Sequence, residues 1–147
     1  MPVAGLKALL AAVAHDEGQH IVHGRHRLYK CPAGFWTIGY GRNLEANGIS
    51  DTEARELLLS DVLAAQRDAA SLVPTWFDLG PVRCNVVANM AFNMGREKLA
   101  TFVKFLAALE AGDYESAADE MKASLWYLQV GTRAERLEHE MRTGMIA

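Results

Sequence analysis

Three side chains in one short stretch are of types that can do chemistry: the carboxyl of Glu17, the thiol of Cys31 and the hydroxyl of Thr37. A carboxyl group can protonate a leaving oxygen. A thiol and a hydroxyl then flank a tight turn rich in aromatics. Glu17 stands just before Gly18, and Cys31 and Thr37 flank the turn-forming residues Pro32-Ala33-Gly34 and the aromatics Phe35 and Trp36. Each residue alone has a plainer role. Glu17 would be a solvated helix-end acid, Cys31 a small buried hydrophobe and Thr37 an ordinary strand threonine.

The elements around these residues follow from local pattern. Leu6, Leu9, Leu10 and Val13 recur at helical spacing, and four more residues along the same stripe reach Glu17. The helix face that packs on the core is therefore expected to carry Glu17 to a half-sheltered edge, with Gly18 as the stop. Arg27–Cys31 and Phe35–Tyr40 read as two strands, with Pro32 in the second position of the turn between them. Trp36, Ile38 and Tyr40 then alternate with Thr37, Gly39 and Gly41, so Thr37 shares a face with two glycines where a ligand can approach the backbone. Arg42-Asn43-Leu44 leaves the sheet, and Asn47-Gly48 is a turn.

The remainder reads as helices. Ser50-Asp51-Thr52-Glu53 is a capping box opening a long helix over about 51–71. Pro81 opens a helix, apolar nearly all round, that Gly95 closes. Leu99, Phe102, Val103, Leu106 and Leu109 form a further stripe, and Asp113 caps a helix carrying Ala117, Met121 and Leu125. Thr132-Arg133-Ala134-Glu135 is a second capping box, for a helix ending at Gly144. The fold class is thus α+β and predominantly α-helical.

The totals exclude several classes. The 147 residues are half hydrophobic, enough for one domain with a sizeable core. A formal net charge of −3 argues against a nucleic-acid partner. The sign is unevenly spread: Gly18 to Leu44 contains no acid but holds Arg25, Arg27, Lys30 and Arg42, a local field suited to an anionic polymer. His20, His23 and His26 lack a Cys or carboxylate at ligand spacing, and the neighbouring arginines repel cations, so a basic loop or hairpin tip is read there and neither metal nor cofactor is expected. Two cysteines make no disulfide framework and suit folding in a reducing compartment; a Cys31–Cys84 bridge is left open. Met1–Ala14 is too short to span a bilayer and lacks a basic leader, so it is read as a folded helix with no stable membrane insertion.

At this point the sequence resembles the phage-type lysozymes, the endolysins of glycoside hydrolase family 24. The landmarks are Asp16-Glu17-Gly18, Tyr29-Lys30-Cys31-Pro32-Ala33-Gly34, Thr37-Ile38-Gly39-Tyr40-Gly41-Arg42-Asn43-Leu44, Asn89 to Gly95, Trp126-Tyr127, Arg133-Ala134 and Arg142-Thr143-Gly144. The family motif is Glu, eight residues, Asp or Cys, five residues, Thr. Glu17, Cys31 and Thr37 match it, except that thirteen residues separate Glu17 from Cys31; the extra five are placed near Val22–His26. The resemblance implies a small β-sheet lobe (about 17–50), a connecting helix (about 51–71) and a helical lobe (about 72–147 plus the N-terminal helix). It implies cleavage, in a cleft between the lobes, of the β-1,4 bond between N-acetylmuramic acid and N-acetylglucosamine in bacterial peptidoglycan. Glu17 would be the general acid, with Cys31 and Thr37 positioning water.

The same resemblance implies substrate contacts at Tyr40, Gly41, Arg42, Asn43, Phe92, Asn93, Gly95 and Arg133. It also implies a monomer stored in the host cytoplasm until holin-type release. Two alternatives stay open: a lytic transglycosylase, since one Glu can serve as acid and base, and a non-catalytic wall-binding protein, if the insertion displaces Glu17.

Overall fold

The structure is a computed structural model that describes residues 3–147, with side chains from residue 5 onward. Helix α1 (Val3–Asp16) leads to an antiparallel hairpin, β1 (Ile21–Val22) with β2 (Arg25–His26). A three-stranded antiparallel sheet follows in the order β3 (Tyr29–Lys30), β4 (Trp36–Ile38), β5 (Arg42–Asn43). Then come α2 (Leu44–Asn47), α3 (Asp51–Leu72), a 3-10 turn (Trp76–Asp78), α4 (Gly80–Met94), α5 (Arg96–Ala100), α6 (Val103–Glu110), α7 (Tyr114–Lys122), α8 (Leu125–Val130) and α9 (Thr132–Thr143). This is the α+β, predominantly helical architecture that the resemblance implies. The chain divides into two compact units, the first ending at Ala54 and the second running from Arg55 to Ala147, so the division falls in the first turn of α3. Helix α1 belongs to the first unit, although the sequence reading grouped it with the helical lobe.

In the first unit, turns and caps do most of the organising. His23 and Gly24 have φ of 51° and 73°, and Val22 pairs with Arg25 across them. A two-residue turn with both φ positive matches the twist of the strands it joins. Strands β3 and β4 are shorter than expected, and Gly39-Tyr40-Gly41 forms a turn rather than continuing β4. The shared face of Thr37 with two glycines is therefore replaced by a bend at Gly39 and Gly41, which have φ of 66° and 85°. Arg42-Asn43 does not leave the sheet; it pairs with β4, Thr37 facing Asn43 and Ile38 facing Arg42. The Ser50 capping box forms in full: Glu53 N–H donates to Ser50 Oγ at 3.1 Å, and Ser50 N–H donates to Glu53 Oε1 at 2.9 Å.

A further correction concerns α1. Leu6, Leu9, Leu10 and Val13 are exposed, Leu10 to 62%. Their helical spacing is real, but the first unit has no buried hydrophobic side chain among its described residues. It offers that stripe no core of its own to pack on.

The second unit holds the core. The apolar α4 is its central helix, with Val86, Val87, Met90 and Ala91 buried among Leu99, Phe105, Leu109, Met121, Trp126, Leu137 and Met141. Helices α4 and α9 are tied at two points. Arg83 Nε donates to Met141 O at 2.7 Å, its NH2 group donates to Arg142 O at 3.1 Å, and its guanidinium lies 4.0 Å from the Tyr114 ring centroid. Six residues along α4, Asn89 accepts two bonds from Arg133. Two helix boundaries differ from the sequence reading. The helix capped by Asp113 ends at Lys122, and Ser124 caps α8 through Tyr127 N–H, which leaves Leu125 exposed. The Thr132 box does not form, because Gly131, with φ of 73°, takes the cap position and accepts from Glu135 N–H.

Candidate active site

Glu17 lies one residue beyond α1, where its N–H still donates to Val13 O at 2.8 Å. The side chain is exposed rather than half-sheltered. It is nevertheless placed. A Cβ built on Gly41 would stand 2.8 Å from Glu17 Oε2 and 3.0 Å from its Cδ, so the carboxyl rests directly on the Gly41 backbone. Only a residue without Cβ allows that approach, and a φ of 85° favours glycine there as well. Tyr29 adds a mooring: its hydroxyl donates to Gly18 O at 3.2 Å. Thus β3 holds the backbone beside Glu17, and the β4–β5 turn receives its side chain.

Cys31 ends β3. Its N–H donates to Phe35 O at 3.0 Å and its carbonyl accepts from Gly34 N–H at 2.8 Å, closing the turn around Pro32. The backbone N–H of Phe35 is the main influence holding the half-buried thiol below its ordinary value. Burial opposes this, and the Ala33 and Gly34 N–H groups and the Thr37 hydroxyl assist it. These donors favour the thiolate because they bind the charged form better than the neutral one. Thr37 is only 2% exposed, and its hydroxyl donates to Phe35 O at 2.9 Å. Closed to solvent, Thr37 does not reach water directly: its one hydroxyl hydrogen goes to Phe35 O and steadies the turn that carries Cys31, and it turns to the thiol only by leaving that carbonyl. The turn that Glu17 rests on, Gly39 to Gly41, begins two residues after Thr37.

The other expected residues divide between structure and surface. Tyr40 is exposed, its ring centroid 5.1 Å from that of His26 in edge-on packing. Arg42 is held by Glu53, with bonds of 3.1 Å and 2.8 Å to the two carboxylate oxygens. Glu53 is lowered to about 2, first by Arg42 and then by the Ser50 donors. Asn43 caps α2 by accepting from Ala46 N–H at 3.0 Å. These two residues thus shape the end of the sheet in this structure.

In the second unit, Phe92 and Arg133 line a cavity of about 320 Å³ with Leu58, Val62, Asn85 and Asn89. Arg133 Nε and NH2 donate to Asn89 Oδ1 at 2.8 and 2.6 Å. Asn93 is not in that lining; its Oδ1 accepts from Trp126 Nε1 at 2.8 Å. Gly95 is the exposed C-cap of α4, with φ of 86°. Sequence reasoning gave no role to Asn89, which orients Arg133, although it stands one helical turn before Phe92. It also gave none to Tyr29, whose place opposite Thr37 follows from the strand register. Both cysteines are free. Among the described residues, no cluster of His, Cys, Asp or Glu is suited to a metal ion, and no helix is long and apolar enough to cross a membrane.

The first unit thus holds the Glu17 carboxyl against the β4–β5 turn and the Cys31 thiol in the turn between β3 and β4. The model of the phage lysozyme family matches residues 20–140, a span that contains Cys31 and Thr37 and begins three residues after Glu17. This chain belongs to the phage lysozyme family, a class of peptidoglycan-degrading hydrolases. It is 27% identical to Probable T4-type lysozyme 1 of Dictyostelium discoideum, over 98% of this chain and 97% of that protein. It is 31% identical to an endolysin of Acyrthosiphon pisum secondary endosymbiont phage 1, over 65% of this chain and 66% of that protein. It is also 37% identical to the pre-baseplate central spike protein Gp5 of Enterobacteria phage T4, over 71% of this chain but only 19% of the spike protein.

Proposed function

We propose that this chain is a muramidase, hydrolysing the β-1,4 bond between N-acetylmuramic acid and N-acetylglucosamine in bacterial peptidoglycan. Glu17 donates its proton to the glycosidic oxygen as the bond to the anomeric carbon breaks. Cys31 accepts a proton from the water that attacks that carbon. Thr37 is a positioning residue, since its hydroxyl is shut off from solvent and steadies the turn that carries the thiol. The thiol lies at the position that carries Asp or Cys in the family motif, and its N–H donors move it toward the anionic state that a carboxylate has by default. Phe92 and Arg133 are assigned to an acetyl or peptide group of the substrate. As an endolysin, the protein would act on the wall after release from the host cytoplasm.

The observation that carries this reading is the seat of the Glu17 carboxyl on Gly41. Replacing Glu17 with Gln keeps the shape and removes the proton. Wall digestion by Glu17→Gln is expected to fall by about 10²–10⁴-fold, with reducing muramic ends as the parent's products. Undiminished digestion by that variant would remove Glu17 from the mechanism. Products ending in 1,6-anhydro-muramic acid would make the enzyme a transglycosylase, and wall binding by the parent without release of any sugar fragment would make it a binding protein.

A further inference from the structure

The β1–β2 hairpin has no part in the proposed chemistry, yet it concentrates unpaired positive charge. Its register places Val22 opposite Arg25 and Ile21 opposite His26, and Arg27 N–H donates to His20 O at 2.8 Å, extending the ladder by one pair. Side chains alternate along a strand and directly opposed residues share a face. His20, Val22, Arg25 and Arg27 therefore occupy one face, and Ile21 and His26 the other. His26 is the half-buried member; its ring meets Tyr40, and its Nδ1 is enclosed with no hydrogen-bond partner. The arginine face also touches the sheet at one end, where the His20 ring lies 6.4 Å from that of Tyr29, but Arg25 and Arg27 on it are both exposed.

On that face Arg25 and Arg27 stand two residues apart, about 7 Å along the strand. Neither forms an ion pair among the described residues. Of the acids of the first unit, Glu45 accepts from Trp36 N–H and Glu53 holds Arg42. Two free guanidinium forks on a tight hairpin suit carboxylates, which they bind through paired parallel hydrogen bonds.

We infer that this face is an accessory docking surface for the carboxylate-bearing peptide branches of peptidoglycan, holding the polymer apart from the bond to be cut. The inference rests on peptidoglycan being the substrate. It explains why an acid-free segment persists in an acidic chain: the charge is placed where the polymer first meets the sheet-bearing unit.

The test compares the parent with an Arg25→Gln/Arg27→Gln variant on purified sacculi freed of accessory polymers. Binding is read by co-sedimentation in a Glu17→Gln background, so that the wall stays intact. At low salt the double variant should bind about tenfold more weakly, and the gap should shrink as salt rises. With Glu17 intact, parent and double variant should digest sacculi with amidated carboxyl groups at equal rates, which shows that the variant is folded. An Arg25→Lys/Arg27→Lys variant should fall between the two in binding. Equal binding of parent and double variant to native sacculi would overturn the inference, as would parent binding that is unchanged by amidation. If the parent digests neither wall, the muramidase reading fails, while the binding comparison still decides the role of the hairpin.

Discussion

Every buried hydrophobic side chain among the described residues lies in the second unit, whereas in the first unit only Thr37 is closed off from solvent. The second unit is organised by apolar burial, with buried side chains from α3 to α9 in one cluster. The first is organised by directed polar contacts: the Ser50–Glu53 box, Arg42 on Glu53, Asn43 on α2 and Tyr29 on Gly18. Strands of two or three residues cannot bury enough surface to hold a unit by hydrophobicity alone. Hydrogen bonds are worth less per contact than packing, but they fix direction. The proposed acid and thiol sit in the unit where direction is specified most closely, and the stability comes from elsewhere.

This contrast can be broken by substitution. The largest effect on folding is expected from Phe105→Ala, which empties a fully buried site in the second unit; it should cost about 3–5 kcal/mol, read by chemical denaturation. Survival of most of the stability would mean that the helical core is not what carries the fold. Gly41→Ala should separate activity from stability. The new methyl group meets Glu17 Oε2, so wall digestion should fall by about 10²-fold, while the left-handed backbone adds about 1–2 kcal/mol of strain. Normal activity in this variant would show that the seat of Glu17 has no bearing on turnover.

The thiol makes a pH prediction. Cys31 is held below its usual 9.0, so the ascending limb of the parent's rate should lie below that value, rising as the thiol loses its proton. Cys31→Asp should move this limb down toward the ordinary carboxylate range, about 4. A limb that does not move would dismiss Cys31 as the proton acceptor. The smallest effect is expected from Leu9→Ala on the exposed stripe of α1, within about 0.5 kcal/mol. A loss as large as that of a core leucine would show that α1 is covered after all.

How much of this was legible in the sequence depends on the range of the interaction concerned. The long α3 and the apolar α4 were readable because periodicity and the Ser50 box are local signals repeated over many residues. Strand β5 and helix α2 were not, since two strand residues or a single helical turn carry no period. The Thr132 box had the right letters, yet Gly131 beside it could adopt a left-handed cap that excludes it. The exposure of Leu6, Leu9 and Leu10 could not be read either, because spacing shows which residues share a face and says nothing about what covers it. The turn expected between Cys31 and Thr37 was readable from Pro32 and Gly34, and it is closed by Cys31 N–H on Phe35 O. The seat of Glu17 on Gly41 joins residues twenty-four positions apart, a pairing that only the folded chain reveals.

The two ties between α4 and α9 have a consequence for how the chain is made. Arg83 reaches carbonyls near the end of α9, and Asn89 reaches Arg133 near its start, across about fifty residues of intervening sequence. During synthesis α4 leaves the ribosome several seconds before its partner, at about 5–20 residues per second. Until then the carbonyls that Arg83 binds do not exist, and the apolar surface of α4 waits for α9 to close over it. The helical unit should therefore mature late and in one step, which makes nascent chains stopped before Thr132 ready clients for a chaperone.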